Sequence, residues 1–168
     1  MARDTDLNEP ALRARAVKAA LGLAPFDVLV ENARLLDMVT GQDRMADVGL
    51  VGGLIASVHA PDPGKAATRR IDAGGRSAVP GLIDTHMHVE SSMVTPAEYA
   101  RAVVPRGVTT VVWDPHEFAN ACGVPGVDYA IEAGRDLPLR FLTLAPTCVP
   151  SAPGYEASGG DFGPDVLA

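Results

Sequence analysis

The sequence holds only two cysteines, Cys122 and Cys148, in 168 residues. That is too few for a disulfide framework, and their spacing is not that of a zinc-binding cysteine motif. A reducing compartment, the cytoplasm, is therefore expected. Positive charge is also scarce, with 14 basic against 21 acidic residues and a formal charge of −7. Phosphate binding needs clustered Lys and Arg, so this balance argues against a nucleic-acid partner. No apolar run approaches the ~18 residues of a membrane span. Arg13, Arg15 and Lys18 interrupt any stretch that would pass for a signal peptide. What is present is an apolar content of 47%, ordinary for a globular protein and too high for a disordered one.

Residues 1–9 are polar and expected to fray. Pro10 suits a first helical turn, and Leu12, Ala16, Ala19 and Leu23 recur at helical spacing. This predicts a short N-terminal helical arm within residues 1–25, ending near Gly22. From residue 26 to 80 short runs rich in Val, Ile and Leu alternate with turn signals, among them Gly52-Gly53 and Pro61-Asp62-Pro63-Gly64. That punctuation predicts a small antiparallel β-sandwich, with a two-residue hairpin turn at Gly52-Gly53.

The pattern changes after Pro80. Leu82–Thr85 reads as a strand running into His86-Met87-His88. Thr95-Pro96-Ala97-Glu98 is a capping box with Pro at the first helical position, and Pro105 and Gly107 stop the helix that follows. Val108–Trp113 is a near-continuous β-branched run, expected to be buried on both faces. Val127–Gly134 reads as a second helix, Leu139–Ala145 as a third strand, and the tail from Pro146 as loop. Strand–helix alternation of this kind predicts a parallel sheet, and the fold class is α/β and β.

Chemistry concentrates at the strand ends. His86 and His88 stand two apart on a strand, so both imidazoles project from one face, about 7 Å apart along the chain. Imidazole is the commonest side-chain metal ligand, and such a pair is a candidate metal site. His116 follows the next strand in Asp114-Pro115-His116-Glu117. C-terminal ends of parallel strands are where active sites of α/β and barrel folds are built. His116 and Glu117 are candidates for proton transfer or for orienting a ligating histidine; a plain helix-entry turn is the other reading. Glu90, Ser91 and Asp114 are candidates for substrate binding. Asp84 shares the parity of the histidines but sits deeper and is expected to bond backbone or a histidine. Trp113 is expected in the core, His59 away from any metal, and Cys148 near a pocket.

The run Val79-Pro80-Gly81-Leu82-Ile83-Asp84-Thr85-His86-Met87-His88 resembles the first barrel strand of the amidohydrolase superfamily. The strand-rich region before it is similar to the small β-sandwich that flanks their barrel. Three further stretches resemble the adenine deaminases within that superfamily: residues 88–93, Asp114-Pro115-His116-Glu117-Phe118-Ala119-Asn120, and Ala145-Pro146-Thr147-Cys148-Val149-Pro150. The likeness runs from about residue 26 to 153. It implies hydrolysis of adenine to hypoxanthine and ammonia at a centre of two divalent ions, manganese or iron with zinc an alternative. His86 and His88 are its metal ligands, and the intact protein is expected to be a homo-oligomer.

A closed eight-unit barrel needs ~250 residues. Residues 81–168 hold only its first three strand–helix units, so the likeness implies an incomplete barrel and no turnover by this chain alone. A later bridging carboxylate, further histidines and a final aspartate are the family's missing ligands. Two other readings remain: an amidohydrolase acting on another cyclic amidine or amide, and a non-catalytic homologue that pairs with another chain.

Overall fold

The computed structural model describes residues 9–167; the polar stretch over residues 1–8 and residue 168 lie outside them. The chain divides into two compact units, one up to Pro80 and one from Gly81.

In the first unit, α1 (Pro10–Ala20) is followed by β1 (Phe26–Leu36), β2 (Asp43–Val51), β3 (Leu54–His59), β4 (Ala67–Asp72) and the two-residue β5 (Ser77–Ala78). β1 is one continuous strand of 11 residues. Asn32, with φ of 55°, makes an irregularity in the β1–β2 ladder between Val30 and Ala33, and the strand continues through it. Asp47 holds that irregularity in place: its carboxylate is buried and accepts from the backbone N–H groups of Asn32 and Asp62.

The strands form a single mixed sheet in the order β3-β2-β1-β4, with β5 also beside β1. β4 and β5 run parallel to β1, so the unit is not the two-layered antiparallel sandwich predicted from the turn signals. Turn chemistry marks where strands end but not which edge each one joins. The Gly52-Gly53 hairpin does form: Val51 pairs Leu54, and Gly52 takes φ of 57°, which only glycine adopts without strain. Helix α1 covers the sheet by packing Ala16 and Ala19 on Phe26, Leu29 and Val51. Leu23 is 74% exposed instead, because the helix stops short of it.

In the second unit, β6 (Leu82–Met87), β7 (Val108–Trp113) and β8 (Arg140–Thr143) form a parallel sheet in chain order. Between the first two lie a 3-10 turn at Glu90–Ser92, α2 (Pro96–Val103) and a second 3-10 turn at Val104–Arg106. Thr95 caps α2 by accepting from the Glu98 N–H. Between β7 and β8 lie two helices, α3 (His116–Cys122) and α4 (Val124–Ala133), where the sequence pattern predicts one. The tail is loop apart from α5 (Pro164–Leu167), and it returns through Phe162 onto Val149 and Ala119.

The helices cover one face of the sheet, where Val111, Trp113, Tyr99, Ala130 and Leu139 make the core. β7 is fully buried on that face only, at Val111 and Trp113; Thr110 and Val112 on the other face are half-buried, and Thr109 near the strand's start is exposed. The outer edges of β6 and β8 have no partner strand among the described residues. Leu82 and Ile83 are 58% and 61% exposed accordingly. An open parallel sheet that exposes apolar side chains is a surface built to be covered.

Candidate functional site

The parallel sheet brings its chemistry to one end. β6 carries His86 and leads into His88; β7 leads into Asp114 and into the first turn of α3, which bears His116 and Glu117; the loop after β8 brings Cys148. Regular pairing of β6 with β7 breaks between Asp84 and Met87. The two imidazoles lie closer together than a strand repeat. Their ring centroids are 5.1 Å apart, and the two Nε2 atoms face each other at 3.2 Å.

Asp114 joins this pair, with Oδ2 at 3.7 Å from His86 Nε2. Its other oxygen is buried and has no hydrogen-bond partner. Donor atoms of His86, His88 and Asp114 all lie within 4.8 Å of one another, as do those of His88, Glu90 and Glu117. Two imidazole nitrogens and a carboxylate oxygen aimed at one region suit a divalent cation of the zinc, iron or manganese type. The Asp114 carboxylate, with Oδ2 toward His86 and Oδ1 buried without a hydrogen bond, is the group of the cluster most in need of a further partner, and a cation would supply one.

On the far side of His88 the geometry is ordered by hydrogen bonds. The Glu117 carboxylate accepts from His88 Nδ1 at 3.0 Å and from the Ser91 hydroxyl at 2.6 Å. Glu90 accepts from the Trp113 indole N–H at 2.7 Å and from the Glu117 backbone N–H at 3.2 Å. The two carboxylates are driven apart in acidity. Burial raises Glu90, and the charge of Glu117 adds to the rise against the indole bond that opposes it. Burial also acts upward on Glu117, but the Ser91 hydroxyl, Glu90 and nearby His88 outweigh it and hold Glu117 at about 2.

His116 lies edge-on to His88 with ring centroids 6.3 Å apart, and its Nδ1 is 3.2 Å from the Cys148 sulfur. Asp84 is turned to the backbone, accepting from the His86 N–H. His59 lies in the other unit beside Phe26, bonded to Ser57. Glu90 and Ser91, the candidates for substrate binding, are bonded to Trp113 and Glu117. Two contacts were missed from the sequence. Trp113 is a core residue as expected, but its N–H is also a link to Glu90; a buried indole N–H usually finds a partner, and that rule was the available signal. The Cys148–His116 contact joins residues on different loops, and no local pattern announces it.

Residues 77–162 match the amidohydrolase family. Adenine deaminase 2 of Rhizobium etli is 68% identical to this chain over 97% of it and 27% of its own length. The adenine deaminase of Serratia proteamaculans is 57% identical over 89% of this chain and 25% of its own length. The chain thus spans about a quarter of the curated relatives it matches. Among solved structures, the atrazine chlorohydrolase of Arthrobacter aurescens in complex with zinc aligns with a TM-score of 0.60 at 23% identity, over 83% of this chain and 40% of that one, a likeness of fold.

Proposed function

The chain belongs to the amidohydrolase family, and from that premise we propose that it supplies the front of a metal site that hydrolyses adenine to hypoxanthine and ammonia. The observation that carries this reading is the convergence of His86, His88 and Asp114 at one end of a parallel sheet. These three residues would hold one divalent ion, of the manganese, iron or zinc kind. A second ion, part of the same proposal, needs ligands beyond this cluster. A bound cation supplies Lewis acidity that makes water reactive toward a purine carbon near neutral pH.

The chain's own residues do the rest. Glu117, charged at neutral pH, orients His88 through Nδ1 and is the group to accept a proton during attack at C6 and return it to the departing amine. His116, beside Cys148, is the second candidate carrier. Ser91 and Glu90 act on the substrate side by fixing Glu117, and Asp114 passes from substrate binding to metal ligation. Among the described residues no helix is long and apolar enough to cross a membrane, and we place the activity in the cytoplasm, in a homo-oligomer.

The test substitutes residues 1–168 for the stretch they match in the Rhizobium etli relative and follows hypoxanthine formation with added manganese. The expected result is adenine turnover that disappears, together with bound metal, when His86 and His88 are replaced by Ala. A folded, metal-loaded chimera that hydrolyses a cyclic amide and leaves adenine untouched would overturn the substrate. Full metal content after both replacements would overturn the ligand set.

A further inference from the structure

Four hydrogen bonds tie the turn after β6 to the end of β7, and they form an ordered series. Trp113 stands at the start of it. Its side chain is 0% exposed, wedged against Phe141 and Phe118 with ring centroids at 5.4 and 6.3 Å. An indole so packed cannot rotate, so the direction of its N–H is set by the core. That N–H meets Glu90 Oε2 at 2.7 Å. The second oxygen of Glu90 accepts the backbone N–H of Glu117 at 3.2 Å, which seats the first turn of α3. The Glu117 side chain then spends one oxygen on Ser91 and the other on His88 Nδ1.

The Glu117 oxygen accepts from His88 Nδ1, and in a neutral ring so bonded Nε2 keeps its lone pair, which faces His86. We propose that Trp113 is a positioning residue of this site, acting through Glu90 and Glu117 to hold His88 in the tautomer that leaves Nε2 free for a cation. This rests on the reading of His88 as a metal ligand, although the tautomer itself exists without metal. The logic is that of outer partners that orient a ligating imidazole, whose loss costs about 10–100-fold in metal affinity. What is unusual is that the series ends on a core aromatic, so the packing of the β7 face is transmitted to a ligand nitrogen.

Trp113 is the only tryptophan in the chain, so the protein has a single indole N–H resonance. In the 15N-labelled, metal-free 168-residue chain, Glu90→Gln should shift that resonance and speed its exchange with solvent. Trp113→Phe keeps the ring and removes the N–H; it should move the His88 ring nitrogens from one tautomer toward a mixture and weaken zinc binding about tenfold. In a Glu117→Gln background the same replacement should have no further effect on His88, because the series is already cut. Phe141→Leu, which loosens the packing that aims the indole, should move the His88 pattern in the same direction as Trp113→Phe and by less.

An unchanged tautomer in both Trp113→Phe and Glu90→Gln would sink the proposal, as would a Trp113 effect that persists undiminished with Glu117→Gln. Should Trp113→Phe fail to fold, Glu90→Gln decides alone, since glutamine has one carbonyl oxygen for two donors. Zinc binding with a Trp113-independent tautomer overturns the positioning role and leaves the metal reading standing. A Trp113-dependent tautomer in a chain that takes up no zinc does the opposite.

Discussion

Gly126→Ala sets two opposing effects of known size against each other. Gly126 is buried in the first turn of α4, where that helix crosses α3. A Cβ there would lie 2.3 Å from the Phe118 carbonyl oxygen and 2.6 Å from its carbon, against a normal non-bonded separation of about 3.5 Å between heavy atoms. In a helix, alanine should gain about 0.5–1 kcal/mol over glycine. The obstructing atoms are backbone, so no rotamer change relieves them and α3 must move by about 1 Å. Overpacking of this kind costs about 1–3 kcal/mol, and the clash wins. We expect a net loss of about 1–2 kcal/mol in urea melts, or roughly 2–4 °C in Tm per kcal/mol for a chain of this length.

The same displacement reaches Glu117, one residue from Phe118, and loosens its contacts with Ser91 and His88. Misplacement by about 1 Å can cost about 100-fold in rate, so kcat/KM of the chimera on adenine should fall by at least tenfold. A Gly126→Ala protein as stable as its parent and equally active would refute the reasoning. It would mean that α3 and α4 yield without consequence and that helix propensity dominates.

Two further outcomes concern the unit before Pro80. Leu29 is fully buried under α1, so Leu29→Ala should lower the stability of that unit by about 3 kcal/mol in a urea titration; a change under 1 kcal/mol would show the core poorly packed there. The Asp27 carboxyl is held below its ordinary value by the Arg15 guanidinium and then by the Gly52 N–H. A depressed carboxyl contributes stability that is complete above its unfolded value of about 3.9 and is lost as pH falls through the lower, folded value. Melting temperature should therefore drop below about pH 4, and Asp27→Asn should flatten part of that drop; identical acid profiles would remove this pair from the account.

The elements of the second unit were legible because local signals agreed. The capping box at Thr95 starts α2 where expected, the β-branched run at 108–113 is β7, and strand–helix alternation does produce a parallel sheet. Helix α3 begins at His116, where Asp114-Pro115-His116-Glu117 reads as a helix-entry turn, but its extent was hidden because no apolar stripe marks a seven-residue helix. In the first unit, turn residues located the strands but misjudged their pairing, since β4 and β5 return parallel to β1 through contacts distant in the chain. The site divides in the same way.

His86, His88, Asp114 and Glu117 could be named from residue type and position, because alternation along a strand and the common end of parallel strands are properties of the backbone. Which atom meets which partner could not be read that way. The approach of the two Nε2 atoms depends on how the imidazole side chains are turned, and the link from Trp113 through Glu90 to His88 depends on how an aromatic ring packs against two others. Distances of that kind are set by close packing between segments far apart in the chain, and composition carries no record of them.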